Sequence, residues 1–164
     1  MSYATQRDEI YTQIAAVSGI GKVFKSKRLV NDWATFLNRF KTATSVINVC
    51  WFSRVSGSEL HDGQGNIGST DAGSEILIVD KRDFYDIELF YGFKDDDTAP
   101  SDYTYQALVD AIETKFRFLQ NLNATADRSM PLQRTASGLW SFGDVLCHRA
   151  QWLLEVRTRI VNTD

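Results

Sequence analysis

Residues 63–68, Gly63-Gln64-Gly65-Asn66-Ile67-Gly68, match the G-x-G-x-x-G pattern of dinucleotide-binding folds. In those folds a strand runs directly into the glycines and a helix follows them, so the pyrophosphate rests on the helix N-terminus. Here the polar residues 56–62 separate the glycines from the preceding apolar run, and the apolar residues that follow have the character of a strand. The context therefore favours a chance match in a glycine-rich loop, and no cofactor is predicted.

The histidines and cysteines offer further candidates for chemistry. His61-Asp62 would supply half of a metal or acid–base site, but the only other histidine is His148 and no zinc-ligand spacing is present. Cys147 and His148 are adjacent in a predicted strand, so their side chains point to opposite faces, which is unsuitable for a nucleophile–base pair. We expect His148 to be a core residue hydrogen-bonded to a neighbour, and Cys50 and Cys147 to be buried free thiols.

Two short runs of charge complete the candidates. Asp95-Asp96-Asp97 lacks the spacing of a calcium-binding loop and is predicted to be a solvated acidic turn before a helix. A basic segment places four positive charges within seven residues: Lys22, Lys25, Lys27 and Arg28. Nucleic-acid contact, a charged strand edge and a complementary protein interface all fit this segment. No set of residues stands out as catalytic or metal-binding, so the chain is not expected to be an enzyme.

Composition narrows the class of protein. The chain has 164 residues, 43% of them hydrophobic and only 2 of them proline, which suits a single domain over residues 1–164. The net charge of −3 argues against a dedicated nucleic-acid binder. The polar first residues do not resemble a signal peptide, and no apolar run approaches the roughly 18 residues of a membrane span. We therefore expect a cytoplasmic protein without a membrane partner.

The elements expected to position these residues alternate between helical and strand periodicity. Apolar residues at helical spacing predict helices over 3–17, 33–40 and 105–120. Apolar, β-branched or alternating segments predict strands at 22–30, 45–55, 75–80 and 83–93, and strict alternation from 146 to 160 predicts one long strand or a strand pair. The expected fold is α+β, a mostly antiparallel sheet with the helices packed on one face.

The glycine-rich segment at 56–74 is long for a connection in a compact domain. Two structures fit it. One is a β-hairpin whose arms extend from the body and close near Gly63-Gln64-Gly65. The other is a flexible segment that orders only on a partner.

The order of these elements resembles that of the tail-terminator, or tail-completion, proteins of long-tailed bacteriophages. The matching features are the N-terminal amphipathic helix, the strand "VINVCWFSRV", the alternating strand "DFYDIELFYGF", the helix "YQALVDAIETKFRFLQ" and the ending "GLWSFGDVLCHRAQWLLEVRTRI". The ending, a turn that runs into a long alternating strand, is the most specific of them.

The resemblance implies a structural virion protein of the tail and neck, assembled from the host cytoplasm. Such proteins form a ring, typically a hexamer, that caps the head-proximal end of the tail tube and joins it to the head–tail connector. The implied partners are further copies, the tube protein and the connector, with DNA at most passing through the ring. The family has no catalytic residues, cofactor or metal to carry over.

Charge and expected exposure suggest the interface residues of such a subunit: Lys22, Lys25, Lys27, Arg28, His61, Asp62, Gln64 and Asn66. Three alternatives stay open at this point. They are another phage neck or connector protein, a cytoplasmic ligand-binding α+β domain with a pocket between sheet and helices, and an enzyme that uses His148, Cys147, His61 or Asp62.

Overall fold

The computed structural model of this chain describes residues 2–28, 32–42, 46–61, 76–95, 97–98 and 100–163. Its helices are α1 (Tyr3–Ala15), α2 (Trp33–Phe40) and α3 (Ser101–Arg117). Its strands are β1 (Lys22–Phe24), β2 (Asn48–His61), β3 (Ile76–Gly92), β4 (Arg128–Ser129), β5 (Gln133–Phe142) and β6 (Val145–Thr163). The predicted α+β class is confirmed.

The six strands form one mixed sheet in the order β1-β2-β3-β6-β4, and β5 also pairs with β6. Only β1 and β2 run parallel, whereas the other pairs are antiparallel. The long strands β2, β3 and β6 lie side by side in the middle. The short β1 therefore forms one margin of the sheet, and β4 and β5 share the other.

The main core lies between one face of the sheet and helices α1 and α3. α3 presents a stripe of buried residues at helical spacing toward this face: Tyr105, Leu108, Val109, Ile112 and Phe116. α1 contributes Ile10 and Ile14, and β6 contributes Ala150, Trp152, Leu154 and Val156 from alternate positions. Because side chains alternate across a strand, these even-numbered residues of β6 face the helices, as the sequence pattern predicted.

Helix α2 packs on the opposite face of the sheet, which the sequence analysis did not expect. Phe36 and Phe40 of α2 contact a second cluster formed by Val49 and Trp51 of β2, Phe90 of β3 and Cys147 of β6. Apolar side chains thus occur on both faces of β2, and a strand buried on both faces has a continuous apolar run instead of alternation. Residues 49–52 have that character, so the signal was present in the sequence.

The long central strands are more continuous than predicted. β3 is one strand of 17 residues, where two strands were expected, because β2 and β6 pair with it on both sides through Lys81 and Arg82. β2 continues to His61, so residues 56–61, assigned to the glycine-rich loop, are strand, with a register shift between Arg54 and Ser56. Residues 62–74 of that predicted loop or hairpin lie outside the described residues.

The alternating segment 146–160 is one long strand, one of the two predicted forms, because it lies entirely within β6. β5 and β6 pair antiparallel, and Phe142 and Val145 flank the connection. The two residues between them, Gly143 and Asp144, have φ angles of +55° and +62°. Two-residue hairpin turns with positive φ at both positions match the twist of the flanking strands, and Gly and Asp adopt them readily.

Candidate functional site

The glycine motif lies between two paired strands of the sheet, β2 and β3. β2 ends at His61 before it, β3 begins at Ile76 after it, and the two strands pair antiparallel out to His61 opposite Val79. The apolar residues from Ile76 onward are therefore a strand, as predicted, whereas a pyrophosphate site needs a helix directly after the glycines. The side chain of His61 is not described, and Asp62, Gln64 and Asn66, proposed with it as interface residues, lie outside the described residues.

Three of the four basic residues assigned to an interface have partners within the chain. The Lys22 ammonium donates to the backbone oxygen of Asn38 at 2.8 Å, and Lys25 Nζ lies 2.5 Å from an Asp8 carboxylate oxygen. Lys27 Nζ lies 2.8 Å from Asp86 and 2.9 Å from Glu88. The Arg28 guanidinium lies over the Phe24 ring at 5.8 Å. The sequence could not reveal these partners because they belong to other elements.

The acceptors for Lys27 belong to a buried polar network on the α2 face of the sheet. The Glu88 carboxylate, 6% exposed, accepts hydrogen bonds from Trp51 Nε1 at 2.8 Å and Arg149 Nη2 at 2.5 Å, in addition to Lys27. Asp86 accepts from the Gln151 amide at 2.7 Å, and Arg149 also donates to Gln151. Each carboxylate therefore has both a cation and a neutral donor, which offsets the cost of its burial.

These contacts hold Glu88 in its ionised form. Burial alone would raise the pKa of Glu88, but hydrogen bonds from Trp51, Arg149 and Lys27 outweigh that effect and keep the pKa below its usual value. Burial alone would lower the pKa of Lys27, yet its bonds to Asp86 and Glu88 raise the pKa above its usual value. A carboxylate whose pKa is lowered is poorly suited to general acid catalysis near neutral pH. The arrangement is that of a structural ion network.

His148 is a buried residue hydrogen-bonded to a neighbour, as predicted. Its Nε2 lies 2.9 Å from Ser101 Oγ, and its ring stacks on Tyr105 at 4.8 Å between centroids. Its Nδ1 lies 4.0 Å from an Asp102 carboxylate oxygen. Ser101 and Asp102 are more than 45 positions away from His148, so no local pattern in the sequence indicates this Ser-His-Asp grouping.

The geometry of this grouping differs from that of a catalytic triad. Ser101 Oγ accepts from the Lys94 N–H at 2.8 Å and lies 3.1 Å from the Lys94 carbonyl oxygen, so its bonds serve the backbone before α3. Asp102 is beyond hydrogen-bond distance from Nδ1, whereas a triad requires that bond to orient the imidazole. The cluster ties the first turn of α3 to β6.

The two thiols are buried and free, as predicted. Cys50 packs in the main core, whereas Cys147 packs with α2 on the opposite face from His148. Burial raises the pKa of both thiols, that of Cys147 to about 12. Since the thiolate is the reactive form, neither cysteine is activated as a nucleophile.

We predict that His148 makes the fold less stable on mild acidification. Burial lowers the pKa of His148, and the nearby Asp102 carboxylate only partly opposes this effect. The unfolded state therefore binds a proton more readily, so stability is full above the unfolded value of about 6.5 and falls as the pH drops below it. Urea midpoints measured between pH 7.5 and pH 5.5, a range of about two units around that value, should fall with acidification.

The matched control for this prediction is His148→Gln, which keeps a polar side chain but cannot titrate. Its urea midpoint should depend less on pH over the same range, and the difference from the parent protein isolates His148 from the titration of His61. Urea midpoints that fall equally with pH in the two proteins would contradict the prediction.

The most exposed apolar surface with a regular backbone is strand β5. Within the described residues β5 pairs only with β6, and nearly all of its ten residues are exposed or half-buried. Arg134 is its single charged residue, and Leu139 and Trp140 are 53% and 54% exposed. The Arg149 guanidinium lies 4.8 Å from the Trp140 ring, and Trp and Arg are enriched at the energetic centres of protein interfaces.

A second apolar surface lies between α1 and α3. It is an open groove of about 630 Å³ lined by Gln13, Asp110, Ala111, Thr114, Lys115, Phe118 and Leu119. Phe118 is 78% exposed. The residues between the sheet and the helices are tightly buried, so this groove lies on the surface and not in the sheet–helix interface where a ligand pocket was considered.

Within the described residues, no three His, Cys, Asp or Glu side chains come close enough together to hold a metal ion. Over the same part of the chain, no helix is long and apolar enough to cross a membrane. Comparison with known proteins finds no matching family model and no significant match among proteins with curated descriptions.

Proposed function

We propose that this protein is a structural subunit of a bacteriophage tail-terminator ring. In this role several copies close into a ring that caps the head-proximal end of the tail tube and contacts the head–tail connector. The observation that carries the proposal is the exposed strand β5, together with the order of elements that resembles this family. A related neck or connector protein would use the same surface.

Strand β5 lacks the protection that natural proteins usually give to an exposed sheet edge. Natural proteins shorten, charge or cover exposed strand edges because an unpaired edge offers hydrogen bonds to any other strand. Residues 135–142 of β5 contain no charge and no proline. Such an edge suits a subunit in which a neighbouring subunit covers β5. Each contact in such an assembly can be of modest area, because every subunit is held at several surfaces.

The buried networks also suit a structural part. The charged groups around Glu88 are neutralised by one another, and the His148 cluster holds α3 against β6. Within the described residues, the ligand-binding alternative points to the open groove between α1 and α3. Over the same residues, the enzyme alternative points to the His148 grouping, in which Asp102 lies beyond hydrogen-bond distance of Nδ1.

Imaging of concentrated protein and capping of purified tail tubes test the proposal. We expect rings of about six copies with a central hole, in line with closed cyclic symmetry, and occupancy of one end of each tube. The double variant Leu139→Lys/Trp140→Lys should remain folded but lose capping at least about tenfold, because it places charge on the edge of the sheet.

The matched control is Phe118→Lys, which adds a charge at an equally exposed aromatic residue in the α1–α3 groove. It should cap tubes like the parent protein. A parent protein that forms no ring and caps no tube would overturn the proposal. Loss of function in Phe118→Lys alone would instead direct attention to the groove and to the ligand-binding alternative.

A further inference from the structure

Three arginines lie side by side across neighbouring strands. Arg82 of β3 pairs in register with Arg157 of β6, and Arg157 pairs in register with Arg128 of β4. Residues directly opposite each other in antiparallel strands have their side chains on the same face, with Cβ atoms about 5 Å apart. The three guanidinium groups, which we term the arginine row, therefore start from adjacent positions on one face.

The charges of the arginine row are only partly compensated within the chain. Arg157 lies 2.6 Å from Glu155, and its neighbour Arg159 lies 3.0 Å from Asp80. Among the described residues, no carboxylate forms an ion pair with Arg82 or Arg128, although the charge of Arg82 also acts on Asp80, the carboxylate that pairs with Arg159. Like charges placed directly opposite in a sheet are destabilising, so an anionic group bound there would relieve repulsion as well as gain attraction.

A cleft accompanies the arginine row. It has a volume of about 200 Å³, and cations outnumber carboxylates in its lining: Asp80, Lys81, Arg82, Asp127, Arg128, Arg157, Thr158 and Arg159. The guanidinium group binds carboxylates through paired hydrogen bonds of fixed geometry, so a row of such groups favours a segment with several carboxylates. Asp80 and Asp127 in the lining would repel a uniformly charged polyanion. They favour a partner whose negative charges are at a few discrete positions.

The chain carries a complementary segment at the far end of the same strand. Asp95 and Asp97, in the turn after β3, are both exposed. Gly92 lies ten positions after Arg82 along β3, a distance of roughly 33 Å at about 3.3 Å per residue. The acidic turn therefore cannot reach the arginine row of its own chain, but it can reach that of another copy.

We infer that Asp95 and Asp97, in the acidic turn of one copy, dock on the arginine row of a second copy. This inference rests on the proposed ring and names one of its subunit contacts. Because the acidic turn and the arginine row are far apart along β3, two copies joined by one contact still have one free turn and one free arginine row. Such a head-to-tail contact continues from copy to copy until a ring closes.

Charge reversal in solution tests this contact. The row variant Arg82→Glu/Arg128→Glu and the turn variant Asp95→Lys/Asp97→Lys should each self-associate at least about tenfold more weakly than the parent protein in light scattering. An equimolar mixture of the two variants, and the fourfold variant that combines them, should recover association to within about threefold, since each pairs a reversed turn with a reversed row. Raising NaCl from about 50 to about 500 mM should weaken association of the parent protein.

The matched control, Arg39→Glu/Lys115→Glu, reverses two exposed cations on α2 and α3 and should self-associate like the parent protein. Thermal unfolding checks that all variants fold. Equal association of all variants, no recovery in the mixture, or a parent protein that never self-associates would overturn the inference. The inference would also be overturned by a row variant that self-associates like the parent protein but no longer binds a labelled DNA duplex. The tail-tube capping test is separate, so rings that form without this contact would leave the proposed function standing.

Discussion

Replacing Trp152 with alanine is expected to lower the free energy of unfolding by about 3–5 kcal/mol. Trp152 lies in the middle of β6 and is 0% exposed. It packs in the main core beneath α3, and its Nε1 donates to Glu113 of that helix at 2.8 Å. The substitution would therefore leave a large cavity between sheet and helix and remove a hydrogen bond that joins them.

Urea unfolding monitored by circular dichroism measures this loss, with the dependence on denaturant compared between variants. The matched control is Trp140→Ala, at a side chain 54% exposed on β5. The Trp140 ring lies 4.8 Å from the Arg149 guanidinium, so Trp140→Ala should lower the free energy of unfolding by no more than about 1 kcal/mol. Equal losses for the two tryptophans would contradict the sheet–helix packing described above.

The position of Trp152 was predictable because one physical rule determines it. Alternation along 146–160 assigned the even-numbered residues to the core, and those from His148 to Thr158 are buried. Leu146 and Ile160, at the two ends, are 45% and 40% exposed because fewer neighbours cover the ends of a long strand. Strand periodicity is local information, so a sequence reveals it without knowledge of what packs above.

The interactions between distant elements were not predictable in this way. Alternation along 83–93 places Asp86 and Glu88 on the face opposite the core residues, but it does not show what covers that face. The segment after β1 brings Lys27 over them, from about 60 positions away in the sequence. For the same reason the partners of the basic segment could not be predicted, because they are known only once the strands are assembled.

The arginine row illustrates the same limit for the candidate interface. Arg82, Arg128 and Arg157 are scattered through the sequence, and each is unremarkable in its own segment. The register of β3, β6 and β4 places them side by side. Register depends on strand pairing across the whole sheet, so no local pattern could have grouped these residues.

Replacing Glu88 with alanine is expected to lower the free energy of unfolding by about 2–4 kcal/mol at pH 7. Trp51, Arg149 and Lys27 would all lose a charged acceptor, and Trp51 and Arg149 are too buried for water to replace it fully. The matched control is Glu59→Ala on the exposed part of β2, where the loss should stay within about 0.5 kcal/mol. A loss of that size for Glu88→Ala as well would contradict the ion network.

The pH dependence of the Glu88→Ala effect separates charge from packing. Because the folded pKa of Glu88 is lowered, its contribution is present above the unfolded value of about 4.3 and disappears as the pH falls through the folded value. The difference in unfolding free energy between the parent protein and Glu88→Ala should therefore shrink on acidification below about pH 4.3, down to the part due to packing. A difference that stays constant between neutral and acid pH would show that Glu88 stabilises the sheet through its shape, and that the lowered pKa makes no contribution to folding.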